Sequence, residues 1–372
     1  MTRVCEAAGG LNLAQGFPDF EAPAQIKAAA KKAIDQDLNQ YAITHGEPVL
    51  RQALARKVAD YNKMEIDPET EITVTCGPTE AMMATMLAVI NPGDEVVIFE
   101  PFYENYGPDA ILSGARPRYV TLHPPDWGYD PQELAAAFGD KTKAVIINTP
   151  HNPTGKVFSL AELTEIAELC RKWNCLAVTD EIYEHILYDG AEHISIASLE
   201  GMAHRTVTIN AISKTYSLTG WRVGWAMASP QISDRIRRVH DFLTVGSARP
   251  LQVAAATALG LPPDYYRGLA QRYLQARDFL FEALDKVGLQ PNLPRGAYYI
   301  ICQVDDLKDK LGASNDTDFC QRLIEVCGVA AVPGSSFYAT GQPGQNQIRF
   351  CFCKRLKTLL SVAQRLQALN RL

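Results

Sequence analysis

Between about residues 70 and 230, short β-branched and apolar runs alternate with stretches of helical periodicity. No other feature of this 372-residue chain restricts its fold as much. The runs are Glu95–Phe99, Ala144–Asn148, Cys175–Asp180 and Thr206–Asn210. Each is apolar almost throughout, not alternating, so both faces of the strand must be covered. That is the pattern of a largely parallel sheet wrapped by helices. In the intervening Leu160–Trp173, Leu160, Leu163, Ile166, Ala167 and Cys170 recur at helical spacing. A doubly wound α/β domain is expected.

From about residue 262 the pattern changes. A long helical stretch (Tyr265–Val287) leads to the apolar run Ala297–Ile301, a helix near 316–326, a strand over Gln347–Phe352 and a last helix over 354–370. This α+β tail reads as a smaller domain, and the length suits one large domain plus a small one. The run Gly260-Leu261-Pro262-Pro263-Asp264 is the best local break, although a helix bridging two domains could begin there.

A formal net charge of −6 gives no footing for nucleic acid or an anionic membrane, so an anionic ligand must be caught by a few local cations, backbone amides or helix N-termini. The nine cysteines are scattered and odd in number, which reads as free thiols in a reducing compartment. Cys351 and Cys353 share one strand face, but no second pair accompanies them, and no metal is expected. Without an apolar run of about 18 residues or a signal-peptide pattern, the cytoplasm is the expected location.

In an open parallel sheet, ligands gather beyond the carboxyl ends of the strands. After Ala144–Asn148 comes Thr149-Pro150-His151-Asn152-Pro153-Thr154-Gly155. Asp180 and Tyr183 follow the next strand, and Ser213-Lys214 follows Thr206–Asn210. An amide, a carboxylate, a phenol and an amine thus come to one rim. Singly each is weak: a lysine after a strand is usually solvated, and an aspartate there usually caps a helix. Together they supply what pyridoxal 5'-phosphate (PLP) requires. The cofactor needs a lysine for its Schiff base, a carboxylate to keep the pyridine nitrogen protonated, and donors for the ring phenolate, which Asn152 and Tyr183 can provide.

The motifs also carry a resemblance. Asn12-Leu13-Ala14-Gln15-Gly16-Phe17-Pro18-Asp19-Phe20, Asn148-Thr149-Pro150-x-Asn152-Pro153, Asp180-Glu181-x-Tyr183-Glu184 and Ser213-Lys214-Thr215-Tyr216-x-x-Thr219-Gly220-Trp221-Arg222-Val223-Gly224 make the chain similar to the fold-type I, class I/II PLP aminotransferases. Within them it most resembles the kynurenine/glutamine/methionine aminotransferase group. The resemblance implies a mostly parallel seven-stranded sheet in a large domain, residues 24–273, with a small domain from residues 1–23 and 274–372. It implies that Lys214 is the Schiff-base lysine and proton carrier, and that Asp180 pairs with the pyridine nitrogen. Asn152 and Tyr183 would hold the phenolate, Arg222 and Ser213 the phosphate, and Tyr103 the ring face, with Phe102 the competitor for that last place. Gly77-Pro78-Thr79 opens a helix through Glu80–Ile90 whose amides and dipole would face the phosphate. Tyr41 matches a tyrosine that reaches the phosphate of the other subunit, which implies a homodimer with shared active sites, although a core tyrosine is a close alternative. Arg349 would clamp the substrate α-carboxylate, its planar fork suiting two oxygens, and Gly16 would let backbone approach the same substrate. From its strand pattern alone, Arg349 reads as an edge-strand arginine.

Three departures from the family pattern stand out. Ala211 replaces a serine that touches the phosphate in many relatives, and Pro78 removes a backbone N–H; weaker cofactor retention is expected. Only Met1–Gly10 precede the first motif, so a substrate-covering N-terminal aromatic is expected to be largely missing. The segment Thr244–Pro250 lacks the aromatic and histidine of kynurenine-preferring relatives and carries Arg249. A solvated arginine is the plainer reading there, and reach across a dimer toward an acidic substrate the sharper one.

The expected activity is ping-pong transfer of an amino group between an L-amino acid (methionine, glutamine or aromatic) and a 2-oxo acid. The alternatives are a cysteine-S-conjugate β-lyase on the same fold, an aminotransferase for aspartate or other acidic substrates, and a non-catalytic PLP-binding regulator. The last would want a DNA-binding helix-turn-helix ahead of residue 12.

Overall fold

A computed structural model describes residues 1–371. Strand β1 (Leu11–Asn12) precedes seven strands that form one sheet: β2 (Ile72–Thr75), β3 (Glu95–Glu100), β4 (Arg116–Thr121), β5 (Thr142–Asn148), β6 (Leu176–Asp180), β7 (Thr206–Ala211) and β8 (Gly224–Met227). Their order is β2-β8-β7-β6-β5-β3-β4. Neighbours from β4 through β7 are parallel, and β8 alone runs against both β2 and β7. All four predicted strands are present within a residue or two. Every residue of β7 and every residue of β5 except Lys143 is buried, the double coverage their apolar runs implied.

The helices that cover the sheet are set by local signals. Leu160–Lys172 starts at Ser159, whose hydroxyl accepts from the Glu162 N–H while the Glu162 carboxylate accepts from the Ser159 N–H, a reciprocal cap. Pro78–Val89 starts on a proline, where a missing N–H costs the helix nothing, immediately after Gly77 at φ 88°. Buried side chains on the two faces of the sheet form separate apolar clusters around Ile98, Ile146 and Val178 and around Val97, Val145 and Ala177.

The remaining strands are β9 (Gln290–Pro291), β10 (Tyr299–Gln303), β11 (Val329–Ala330), β12 (Val332–Pro333) and β13 (Gln347–Cys351). β12-β13-β10-β9 make an antiparallel sheet, and β1 pairs in parallel with β11, so the first residues of the chain lie among the last. Helices Asp316–Cys327 and Leu356–Leu366 pack here, the latter shorter than the predicted 354–370 and continued by a 3-10 turn over Gln367–Arg371. The 23-residue helix Pro263–Asp285 links both regions. Tyr265 and Tyr266 pack on the cluster beside β2 and β8, whereas Tyr273, Leu280 and Leu284 are buried with β10 and β13. All nine cysteines are free, and among the described residues no helix is long and apolar enough to cross a membrane.

Candidate active site

Strands β5, β6 and β7 end side by side, and their carboxyl ends deliver Asn148, Asp180 and, two residues beyond β7, Ser213 and Lys214 to one cleft of about 680 Å³. Asn148 ties two strand ends together. Its amide donates to the Asp180 carbonyl at 2.8 Å, and its Oδ1 accepts from the Asn152 N–H at 2.7 Å. Asp180 is buried. Its Oδ2 accepts from the Tyr106 hydroxyl at 2.8 Å and its Oδ1 from the Ile182 N–H at 3.2 Å. Burial raises its carboxyl to about 6, against the opposing pull of the Tyr106 hydrogen bond.

Lys214 Nζ donates to the Gly16 carbonyl at 3.1 Å and lies 5.9 Å from the centre of the Tyr298 ring. Burial lowers its pKa, with the Cys353 thiol and Asp180 working the other way. An amine so placed loses its proton more readily than a surface lysine, as a nucleophile requires. Tyr183 and Tyr299 share a hydrogen bond between their hydroxyls at 3.0 Å, and both line the cleft.

At one end of the cleft stand Pro78, Thr79, Ser213 and Arg222. Ser213 Oγ is buried without a protein partner. Arg222, at φ 52°, donates to the Thr219 carbonyl at 3.0 Å and spreads its guanidinium over Gly77, where a Cβ would collide with it. An orphaned hydroxyl, a guanidinium and the start of a 12-residue helix fit a phosphate, and the Asp180 carboxylate beside Lys214 fits a pyridine ring with an aldehyde. Tyr103 lines the cleft; Phe102 is buried and stacks on Tyr119, so it belongs to the core.

A wider second cleft, of about 1370 Å³, shares Tyr103, Asn152, Lys214, Thr219 and Tyr299 with the first. Its wall carries Arg349, 6 % exposed, from the central strand β13. Arg349 donates to Asn152 Oδ1 at 2.7 Å and to the Ala14 carbonyl at 3.0 Å, between the rings of Tyr299 (4.3 Å) and Phe337 (4.7 Å). Its Nε has no partner, and among the described residues no carboxylate pairs with it. The edge-strand reading is thereby corrected: β13 has β12 on one side and β10 on the other. Gly16 lies in this second cleft, where a Cβ would overlap the Tyr299 hydroxyl.

Two residues stand elsewhere. Tyr41 is 86 % exposed and lines neither cleft of its own chain. Arg249 lies 3.0 Å from the Glu47 carboxylate of its own chain and lines neither cleft. Sequence reasoning missed Tyr106, Asn148 and Tyr299. For Tyr106 a signal was available: it follows Tyr103 by three residues, the spacing of a single turn, and its N–H donates to the Tyr103 carbonyl at 3.0 Å. Of the Asp180-Glu181-x-Tyr183-Glu184 motif, the two glutamates line neither cleft. Glu181 accepts from Ser195 and pairs with His193, and Glu184 pairs with Lys57 at 2.5 Å.

The family model for aminotransferase class I and II matches residues 8–366. The chain is 38% identical to human kynurenine--oxoglutarate transaminase 1 over 96% of its own length and 92% of that protein. It is 36% identical to the methionine aminotransferase of Escherichia coli over 99% and 94%. Among solved structures, N-succinyldiaminopimelate aminotransferase from Mycobacterium tuberculosis superposes with a TM-score of 0.95 at 37% identity, covering 99% of this chain and 96% of the other. The chain belongs to the class I and II aminotransferases and is a pyridoxal 5'-phosphate-dependent transaminase.

Proposed function

We propose that the two clefts meeting at Lys214 are the cofactor and substrate halves of one transaminase site, and that the donor carries a neutral, largely apolar side chain such as that of methionine or an aromatic amino acid. The observation that carries this is the sharing of Lys214 and Asn152 by a cleft with phosphate-binding features and a cleft walled by a buried, carboxylate-free Arg349.

When bound, PLP supplies an electron-accepting ring that makes the substrate Cα–H acidic. The chain's own residues do the rest. Lys214 would hold the cofactor and would take and return the proton at Cα, and its lowered basicity suits both tasks. Asp180, held by Tyr106, would keep a proton on the ring nitrogen. Asn152 and Tyr183 would donate to the ring oxygen. Arg222, Ser213 and Thr79 would take the phosphate at the start of the helix Pro78–Val89, and Tyr103 would cover the ring. Arg349 takes the α-carboxylate through two N–H groups and orients Cα toward Lys214, with Gly16 beside it. Met1, Phe17, Val332 and Pro333 also line the second cleft, which supports an apolar substrate side chain; the Arg249–Glu47 pairing and Glu104 in the lining speak against an acidic one.

The reading extends to assembly and domains. A homodimer is supported by Tyr41, Phe242, Ile111 and Leu112, large side chains left exposed; in it Tyr41 would reach the partner's phosphate site. The division into residues 24–273 and the two chain ends is supported by the passage of helix Pro263–Asp285 from one apolar cluster to another.

The test is Lys214→Ala. Wild type treated with borohydride should carry the cofactor on the peptide containing residue 214, and a donor panel should convert its absorbance to that of the aminated cofactor. The variant should do neither. Label on another peptide would overturn the assignment.

A further inference from the structure

Lys354 is charged, 6 % exposed, and has no carboxylate partner among the described residues. A buried lysine without a counter-charge is costly and rare, so its surroundings call for an account. Its Nζ donates to the Phe17 carbonyl at 2.8 Å and to the Gln15 carbonyl at 3.4 Å, and it lies 4.2 Å from the centre of the Phe17 ring. All its partners are therefore in one short segment of backbone.

That segment is the one on which the groups of the site converge. The Ala14 carbonyl accepts from Arg349, the Gly16 carbonyl from Lys214 and from Tyr298 at 2.8 Å, and the Gln15 carbonyl also from the Cys351 thiol at 3.1 Å. Every carbonyl from Ala14 to Phe17 is thus held by a side chain, and the Leu13 carbonyl accepts from the Cys351 N–H at 2.9 Å. Lys354 fixes the Gln15 and Phe17 carbonyls, which come before and after that of Gly16. If it let go, the Ala14 carbonyl would lose its fixed hold on one arm of the Arg349 guanidinium, while Tyr298 would still hold the Gly16 carbonyl beside Lys214.

We propose that Lys354 is a positioning residue of the transamination reaction, holding the Ala14–Phe17 backbone so that Arg349 meets the substrate α-carboxylate in register with Lys214. It touches neither substrate nor cofactor. Its charge makes the two carbonyl hydrogen bonds stronger than neutral ones, and the Phe17 ring face covers what remains of the ammonium. This inference rests on the carboxylate-binding role proposed for Arg349.

The experiment compares Lys354→Met, Lys354→Arg and Arg349→Gln as holoenzymes. Two readouts are used: the dissociation constant of an α-methyl amino acid, which cannot lose a Cα proton, from the cofactor absorbance, and the rate with a primary amine that lacks a carboxylate. Lys354→Met should weaken the amino-acid analogue about tenfold or more, the size expected from the loss of one hydrogen bond to a charged group. It should leave cofactor content and the amine rate unchanged, and Lys354→Arg should restore most of the loss. Should Lys354→Met not fold, Lys354→Gln carries the same expectation, since it keeps a carbonyl hydrogen bond without the charge. An unchanged dissociation constant, or equal losses on analogue and amine, would overturn the positioning role while Arg349→Gln still lost analogue binding. If Arg349→Gln itself bound the analogue normally, the carboxylate reading and this inference would fall together.

Discussion

Asp109 is a carboxyl to which the proposed mechanism gives no part, and replacing it with asparagine should change how stability depends on pH. It sits on the short helix Tyr106–Leu112, lines the inner cleft, is 6 % exposed, and has an Oδ2 without a partner. Burial lifts its pKa from 3.8 to about 7. Between about pH 4 and 7 the folded chain therefore keeps a proton that the unfolded chain has released. Stability falls as pH rises through that window, and the loss is complete above 7. Each pH unit in the window is worth about 1.4 kcal/mol, so wild type should lose about 2–3 kcal/mol relative to Asp109→Asn between pH 5 and pH 8. The comparison cancels any fixed cost of the amide, which applies at both pH values. Urea unfolding at the two pH values, at fixed protein and cofactor concentration, measures it. A stability difference between the two proteins that stayed constant from pH 5 to 8 would refute the reasoning, because it would mean that Asp109 is already ionised in the folded chain at pH 5.

Two further predictions concern cofactor affinity. Gly77→Ala places a Cβ against the Arg222 guanidinium at a residue with φ 88°, so the cofactor dissociation constant should rise about tenfold or more by equilibrium dialysis while the apo fold survives. In the opposite direction, Pro78→Ala adds an N–H in the first turn of its helix, and Ala211→Ser adds a hydroxyl at the end of β7, where many relatives carry the phosphate-binding serine. At about 0.5–1.5 kcal/mol each, the pair should tighten cofactor binding by about tenfold, and an unchanged constant would remove the two departures as a cause of weak retention.

That Lys214, Asp180 and Asn152 gather in one cleft could be read from the sequence because a parallel sheet brings the residues after its strands to one rim, and apolar runs mark where strands end. The partners of those residues were hidden by distance along the chain. Tyr106 reaches Asp180 across 74 residues, and Arg349 reaches Asn152 across 197. Tyr298 and Tyr299 lie in an apolar strand and look like core until Gly16 and Tyr183 are found against their hydroxyls. Motif membership also misleads about direction. Glu184 sits one residue after Tyr183, yet it pairs with Lys57, while Tyr183 lines the inner cleft. Which way a side chain turns after a strand ends depends on packing from distant elements, and no local pattern carries that.

In the proposed site the two cations, Lys214 and Arg349, divide the work according to what their chemistry permits. Arginine keeps its charge at any ordinary pH, so a buried Arg349 must be compensated in place. The structure does this with two aromatic faces, one amide oxygen and one carbonyl, none of which carries a full negative charge. That leaves the guanidinium free to gain most from an incoming carboxylate, since an ion pair formed where no counter-charge already exists recovers the full attraction. Lysine can instead shed its proton when burial makes the charge costly, and Lys214 is pushed in that direction. Exchanging the two would fail on both counts: an arginine at 214 could not give up a proton or form the covalent link, and a lysine at 349 could neutralise itself and offer the carboxylate no fork.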